Sequence, residues 1–328
     1  MYFKRTITLG ALIILLFILP VFLNGPYILH LCILLAINII LSTSLRLISL
    51  TGQISLAHGG MVTIGAYTSA ILVMKLGVSS WVALIVAGLA AAASACLIGF
   101  PFVRLKGIYF CMVTVFLGQI VTLAIQEWKS ITGGTQGIFD IPPPDPVNLL
   151  GFISITFDNR VPFYYLILII MIISLLLLYA IEHSRTGFIF RGIEQSDSLT
   201  ESVGIFTLGY KVLSFSIGCF FAGLTGGFYS QYVSTIHPNT FGFIFTVYTL
   251  VYMVVGGSKN FYGPIIGSLV LGLIPEVLRP LKTYQPFFFA GVLLLIIFFM
   301  PEGLVGLPEW IRLKSSKISR NKTRHARD

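Results

Sequence analysis

A chain of 328 residues that is 56 % hydrophobic and only 10 % charged, with a mean hydropathy of +0.93, lies far outside the composition of a soluble globular domain. At roughly 20 apolar residues per bilayer crossing, membrane spans consume most of it and leave no room for a separate soluble domain. The formal net charge of +9 collects in a tail from Arg312 to Arg327 directly after an apolar stretch, which points to anionic lipid headgroups or a cytoplasmic partner and away from nucleic acid.

Hydropathy predicts an all-α polytopic membrane protein of about ten transmembrane helices, near 6–23, 27–48, 54–74, 81–103, 107–126, 163–181, 211–232, 243–256, 263–278 and 286–300. The first follows Lys4 and Arg5 and lacks a small-residue cleavage site, so it reads as an uncleaved helix. Placing Lys4 and Arg5 in the cytoplasm puts sixteen basic residues on that side against five outside, which satisfies the positive-inside rule with both termini cytoplasmic. Residues 1–310 then form a transmembrane domain and 311–328 a basic cytoplasmic tail. The cysteines Cys32, Cys96, Cys111 and Cys219 fall inside apolar stretches without metal-ligand spacing and read as small hydrophobes.

Two glycine-rich polar motifs break the apolar pattern: Gly52-Gln53-Ile54-Ser55-Leu56-Ala57-His58-Gly59-Gly60 and Gly256-Gly257-Ser258-Lys259-Asn260-Phe261-Tyr262-Gly263-Pro264. Irregular polar backbone survives at membrane depth only against protein or a water-filled cavity. These breaks therefore mark the expected substrate path, with Gly52, Gln53, Ser55, His58, Gly59, Gly256 and Gly257 as its candidate residues. His58 is the ionisable side chain deepest in a break. It either contacts a substrate carboxylate or hydrogen-bonds carbonyls freed by the glycines, and Gln53 and Ser55 carry the same two readings.

Two long connections stand apart from the short ones. The outer loop, about 127–162, holds Thr132-Gly133-Gly134-Thr135-Gln136-Gly137 and the stiff run Pro142-Pro143-Pro144, and is either an ordered cover or a solvated connector. The inner loop, about 182–210, is long enough for two short helices. Gly223-x-x-x-Gly227 and Gly263-x-x-x-Gly267 place small residues on one helix face for close packing.

No Gly-x-x-x-x-Gly-Lys-Ser/Thr motif occurs, so an ATPase must be a separate chain. Most carboxylates fall in loops. Glu276, near a span end, has Arg279 one turn away as its expected partner, which leaves a proton relay without support. Motifs for a nucleophile, a zinc site or an acid/base pair are lacking, so the chain reads as a non-enzyme with no metal.

In order, several motifs resemble the permease subunits of branched-chain amino acid ABC importers, the LivM-type family. They are Thr51-Gly52-Gln53-Ile54-Ser55-Leu56, Gly65-Ala66-Tyr67, Thr132-Gly133-Gly134, Ser184-Arg185 with Gly187 and Arg191, Gly204, Tyr210-Lys211, Phe221-Ala222-Gly223-Leu224, Gly256-Gly257 with Gly263-Pro264, and Pro301-Glu302-Gly303-Leu304. Lys259 departs from the glycine usual there. The resemblance implies a second related permease, two cytoplasmic ABC ATPase subunits that hydrolyse ATP, an external solute-binding protein, and a location in the inner membrane of a prokaryote. It implies no cofactor bound by this chain. It makes the 182–210 loop the ATPase coupling segment, with Arg185, Gly187, Arg191, Glu201 and Gly204 as coupling residues. The reading from another class is a self-sufficient sodium-coupled secondary transporter or channel, with sodium bound by unwound carbonyls and hydroxyls.

Overall fold

The computed structural model describes residues 25–149, 153–279 and 303–306, with the isolated positions Phe17, Pro20, Tyr284, Phe287, Ala290, Gly291 and Leu294. Of the expected elements, spans 6–23 and 286–300 fall almost wholly outside the described residues, and the tail lies beyond them.

Among the described residues six helices are long and apolar enough to cross a membrane: α1 (Pro26–Ser49), α2 (His58–Leu76), α3 (Ser80–Phe102), α4 (Ile108–Glu127), α6 (Arg160–Glu182) and α9 (Thr207–Val233). Between α4 and α6 lie the single turn α5 (Lys129–Thr132) and a hairpin of β1 (Val147–Leu149) with β2 (Ile153–Ile155), antiparallel with Asn148 opposite Ser154. The inner loop forms the two short helices expected, α7 (Arg185–Gln195) and α8 (Asp197–Ser202).

Six of the ten expected spans are thus long enough to cross among the described residues, and two of the ten lie almost wholly outside those residues. The other two, expected at 243–256 and 263–278, form as separate helices, α10 (Phe243–Gly256) and α11 (Tyr262–Val277), of 14 and 16 residues. At 1.5 Å per residue each is about 21–24 Å long, short of the bilayer core. Gly256 and Gly257 turn the chain before α10 can extend further. The start of the third expected span is corrected: residues 53–57 are irregular, and helix begins only at His58. The β-hairpin is the departure from an all-helical chain.

Helices alternate between two ends of the bundle. One end carries the connections 50–57, 103–107, 183–206 and 257–261; the other carries 77–79, 128–159 and 234–242. The second end is tied by Ile138, which exchanges both backbone hydrogen bonds with Ile236, and by Asp145, which accepts from Ser79 Oγ and Ser80 N at the start of α3. The glycine-rich turn of the 128–159 connection packs on the chain after α9, with Gly137 against Ile236.

Lipid tails supply no hydrophobic drive between helices, so tight packing depends on small residues. Helix α9 sits between α2 and α3, where Gly223 backs directly onto Gly65 and also onto Ala87 and Ala91, and Gly226 backs onto the Val62 carbonyl. Gly263 and Gly267 let α11 close on α10 at backbone contact. Arg279 pairs with Glu276 at 3.4 Å, as its spacing predicts.

Candidate functional site

The polar chemistry starts in the lower half of α1, where Ser42-Thr43-Ser44-Leu45-Arg46 interrupts an apolar helix and is entirely buried. Successive helical residues turn by 100°, so Ser42 and Arg46 share one face and Ser44 points to the opposite side. The two faces meet the two breaks. Ser44 Oγ lies 2.9 Å from His58 Nε2 at the start of α2. On the other face Ser42 Oγ lies 2.7 Å from Ser268 Oγ and donates to the Pro264 carbonyl, both on α11.

Arg46 is the anchor of the second break. Its Nε donates to the Ser258 carbonyl at 2.7 Å and its Nη2 to the Lys259 carbonyl at 3.2 Å, so the guanidinium fills the turn between α10 and α11. The same guanidinium grips Glu182, the last residue of α6, in a bidentate pair at 2.5 and 2.9 Å. Arg191 of α7 adds a third bond to that carboxylate at 2.7 Å. Arg46 is 1 % exposed and Glu182 4 %, so this is a buried ion pair rather than a surface one. Glu182 was expected in a solvated loop; the structure instead buries it at a helix end beneath α7.

The first break is an irregular run held by single neutral bonds. Gly52, at φ +74°, turns the chain out of α1. Gln53 Nε2 donates to the Val103 carbonyl at the end of α3, Leu56 N donates to Thr114 Oγ1 of α4, and Ser55 Oγ accepts from Ala57 N. Gly59 N, one of the unpaired donors at the start of α2, donates to Thr246 Oγ1 of α10 at 3.0 Å. Thr246 lies ten residues before Gly256, so this bond joins the start of α2 to α10 about 15 Å along that helix from the second break. His58 is buried, and its partner is the Ser44 hydroxyl rather than a carbonyl freed by the glycines; its Nδ1 has no partner among the described residues.

Beside this junction a narrow cleft is lined by Leu56, Gly60, Gly118, Gln119, Thr122 and Thr246, among others. Gln119 stands at the middle of α4, exposed on the bundle surface, with no hydrogen-bond partner among the described residues.

The remaining predicted residues gather on the 183–206 connection. Arg185 is exposed at the start of α7. Gly187 crosses over the end of α6 so closely that a Cβ would strike the Glu182 carbonyl. Glu194 packs its Cα against Gly52, so α7 touches the first break, and it reaches the second only through Glu182 and Arg46. Glu201 accepts from Thr207 Oγ1 at 2.5 Å, and Gly204, at φ +84°, turns the chain after α8. Phe188, Leu199, Val203 and Phe206 are exposed around them.

Asp197 latches this segment to the bundle, accepting from Lys106 Nζ at 2.7 Å and Lys211 Nζ at 2.8 Å. Burial pushes its carboxyl up, but the hydrogen bonds and charges of the two lysines outweigh this and hold it below the usual carboxylate range. Sequence reasoning missed Ser42, Ser44, Arg46, Glu182, Thr246 and Asp197. For the first three the signal was present: a polar run at helical spacing within an apolar span.

A bundle of long apolar helices, joined at one end by partly buried, irregular glycine-rich segments, defines a polytopic membrane protein of the transport class. The chain belongs to the family described as the permease component of branched-chain amino acid transport systems, which matches residues 27–301. It is similar to the high-affinity branched-chain amino acid transport system permease protein LivM of Escherichia coli (strain K12), at 30 % identity over 287 residues, 82 % of this chain and 68 % of that protein. LivM of Salmonella typhimurium (strain LT2) is 29 % identical over 300 residues, covering 86 % and 71 %. The permease protein LivH of Escherichia coli (strain K12) is 27 % identical over 273 residues, covering 79 % and 87 %. No solved structure gives a significant match.

Proposed function

We propose that this chain is the transmembrane permease subunit of an ATP-driven ABC importer for branched-chain or other hydrophobic amino acids in the inner membrane of a prokaryote. It forms the translocation path with a second, related permease, receives substrate from an external solute-binding protein, and performs no catalysis itself. Two separate ATPase subunits hydrolyse the ATP. Family membership supports the permease role, and similarity to both LivM and LivH supports a pair of permeases.

The observation that carries the coupling is that α7 lies against the first break, through Glu194 at Gly52, and is linked to the second by hydrogen bonds that run from Arg191 through Glu182 and Arg46. Its outward surface, with exposed Phe188, Leu199, Val203 and Phe206, suits docking to a soluble partner. We place this end in the cytoplasm. Arg46, Arg104, Lys106, Arg185, Arg191, Lys211 and Lys259 all lie at or near it, as the positive-inside rule requires. An unpaired mid-span Gln119 beside an open cleft is costly against lipid, so this face lines the path opposite the second permease.

A sodium-coupled carrier working alone is less well supported, because the Ser258 and Lys259 carbonyls already hold the Arg46 guanidinium. The test is a mild-detergent pull-down from the native membrane with ATPase assay, paired with reconstitution of the chain alone. Recovery of a second permease and P-loop ATPases is the expected result. Gradient-driven uptake by the isolated chain would overturn the proposal.

A further inference from the structure

We propose that Arg46 and Glu182 are positioning residues that carry the displacement of the coupling segment to the turn between α10 and α11. The inference rests on the reading of the chain as an ATP-driven permease. Its basis is an unbroken series of hydrogen bonds. Arg191 of α7 holds Glu182 at 2.7 Å, Glu182 holds Arg46 through two bonds, and Arg46 holds the carbonyls of Ser258 and Lys259.

Each link has one fixed end. Gly187 lies against the backbone of Ile181 and Glu182 with no space for a Cβ, so α7 has its pivot directly over the end of α6. Arg191 follows one helical turn later and Glu194 three residues after that. Rotation of α7 about Gly187 therefore pulls on the Glu182 carboxylate through Arg191 and presses on Gly52 through Glu194. The carboxylate cannot yield alone, because Arg46 grips both its oxygens in a planar fork. The guanidinium in turn cannot shift without taking the Ser258–Lys259 turn with it. One movement of α7 thus reaches both glycine-rich breaks.

If the cluster were only a stabilising ion pair, Arg46 and Glu182 would suffice. Arg191, half exposed at 46 %, is the link that serves transmission and is the one that can be removed. The assembled complex in proteoliposomes is assayed for amino acid uptake per ATP hydrolysed, using wild type, Arg191→Met, Arg191→Lys and, as a control at the opposite end of the bundle, Arg160→Met. Arg191→Met is expected to keep hydrolysis but lower uptake per ATP by about tenfold, within the usual range of coupling between sites. Arg191→Lys should recover much of the ratio and Arg160→Met should leave it at the wild-type value. Should Arg191→Met fail to assemble, Arg191→Gln is measured in its place and its ratio must fall as well.

An unchanged ratio in an assembled Arg191→Met or Arg191→Gln complex overturns the inference while leaving the importer standing. An equal fall in Arg160→Met overturns it too, because the effect would not be specific to this series. Wild-type uptake without ATP consumption would overturn the importer and the inference together.

Discussion

The two glycine-rich breaks solve one problem in opposite ways. Both leave backbone groups without helical partners inside an apolar bundle, and each such group must be satisfied by protein. The first break distributes the task over single neutral bonds, its backbone N–H groups donating to Thr114 and Thr246, while the Gln53 side chain ties it to the Val103 carbonyl. The second concentrates it in one guanidinium and closes the remaining space with backbone against backbone, Gly256 on Gly263 and Gly257 on Gly303. An irregular segment on many weak links can exchange them one at a time. A hairpin packed to backbone contact moves as a unit or not at all.

The largest expected effect comes from removing the charged anchor. Arg46→Ala leaves Glu182 buried with only Arg191 and frees two carbonyls, and should cost about 3–5 kcal/mol. A change in thermal unfolding in detergent below about 1 kcal/mol would show that the second break does not depend on it.

Glycine substitutions sharpen the comparison. At Gly256 a methyl group collides with the Gly263 carbonyl, so Gly256→Ala should cost about 3 kcal/mol through forced separation of α10 and α11. At Gly52 the nearest atom to a Cβ is 3.6 Å away and only the positive φ resists a side chain. Gly52→Ala should cost about 1–2 kcal/mol, and Gly52→Asn less, since asparagine accepts the left-handed region. Equal losses for Gly52→Ala and Gly52→Asn would mean that space, not handedness, governs the first break.

The smallest effect concerns the Asp197 latch. Its carboxyl titrates in the folded protein below the unfolded value of about 3.9. Its contribution is therefore complete above that pH and is lost as the pH falls through the folded value. Partly exposed pairs of this kind contribute at most about 1 kcal/mol. The unfolding midpoints of wild type and Asp197→Asn should differ by a constant amount from about pH 7 to pH 5 and converge below about pH 4. A difference that persists at low pH would assign the latch to packing.

The long helices, the paired short helices of the 182–210 loop and the two breaks were legible because each rests on local pattern: apolar run length, loop length, glycine clustering. What escaped was long-range charge. Arg46 was counted as one more basic residue near an interface, and Glu182 as one more loop carboxylate; nothing local reveals that residues 136 apart in sequence meet in a bidentate pair. The irregular form of 53–57 was hidden for a related reason, since its hydrogen-bond partners, Val103 and Thr114, lie some fifty residues away in sequence. His58 shows the limit of residue type alone. The choice between substrate and carbonyl as its partner omitted the Ser44 hydroxyl, fourteen positions earlier.

The crossing of α2, α9 and α3 constrains how this sequence can drift. Gly65 and Gly223 face each other at backbone contact, and the far side of Gly223 is closed by Ala87 and Ala91. When a bulky core residue shrinks, a neighbour can grow to fill the gap. Here neither partner has anything left to give up, so no compensating change at the facing glycine can rescue a methyl group on the other. Such a pair is inherited together or lost together with the crossing it makes.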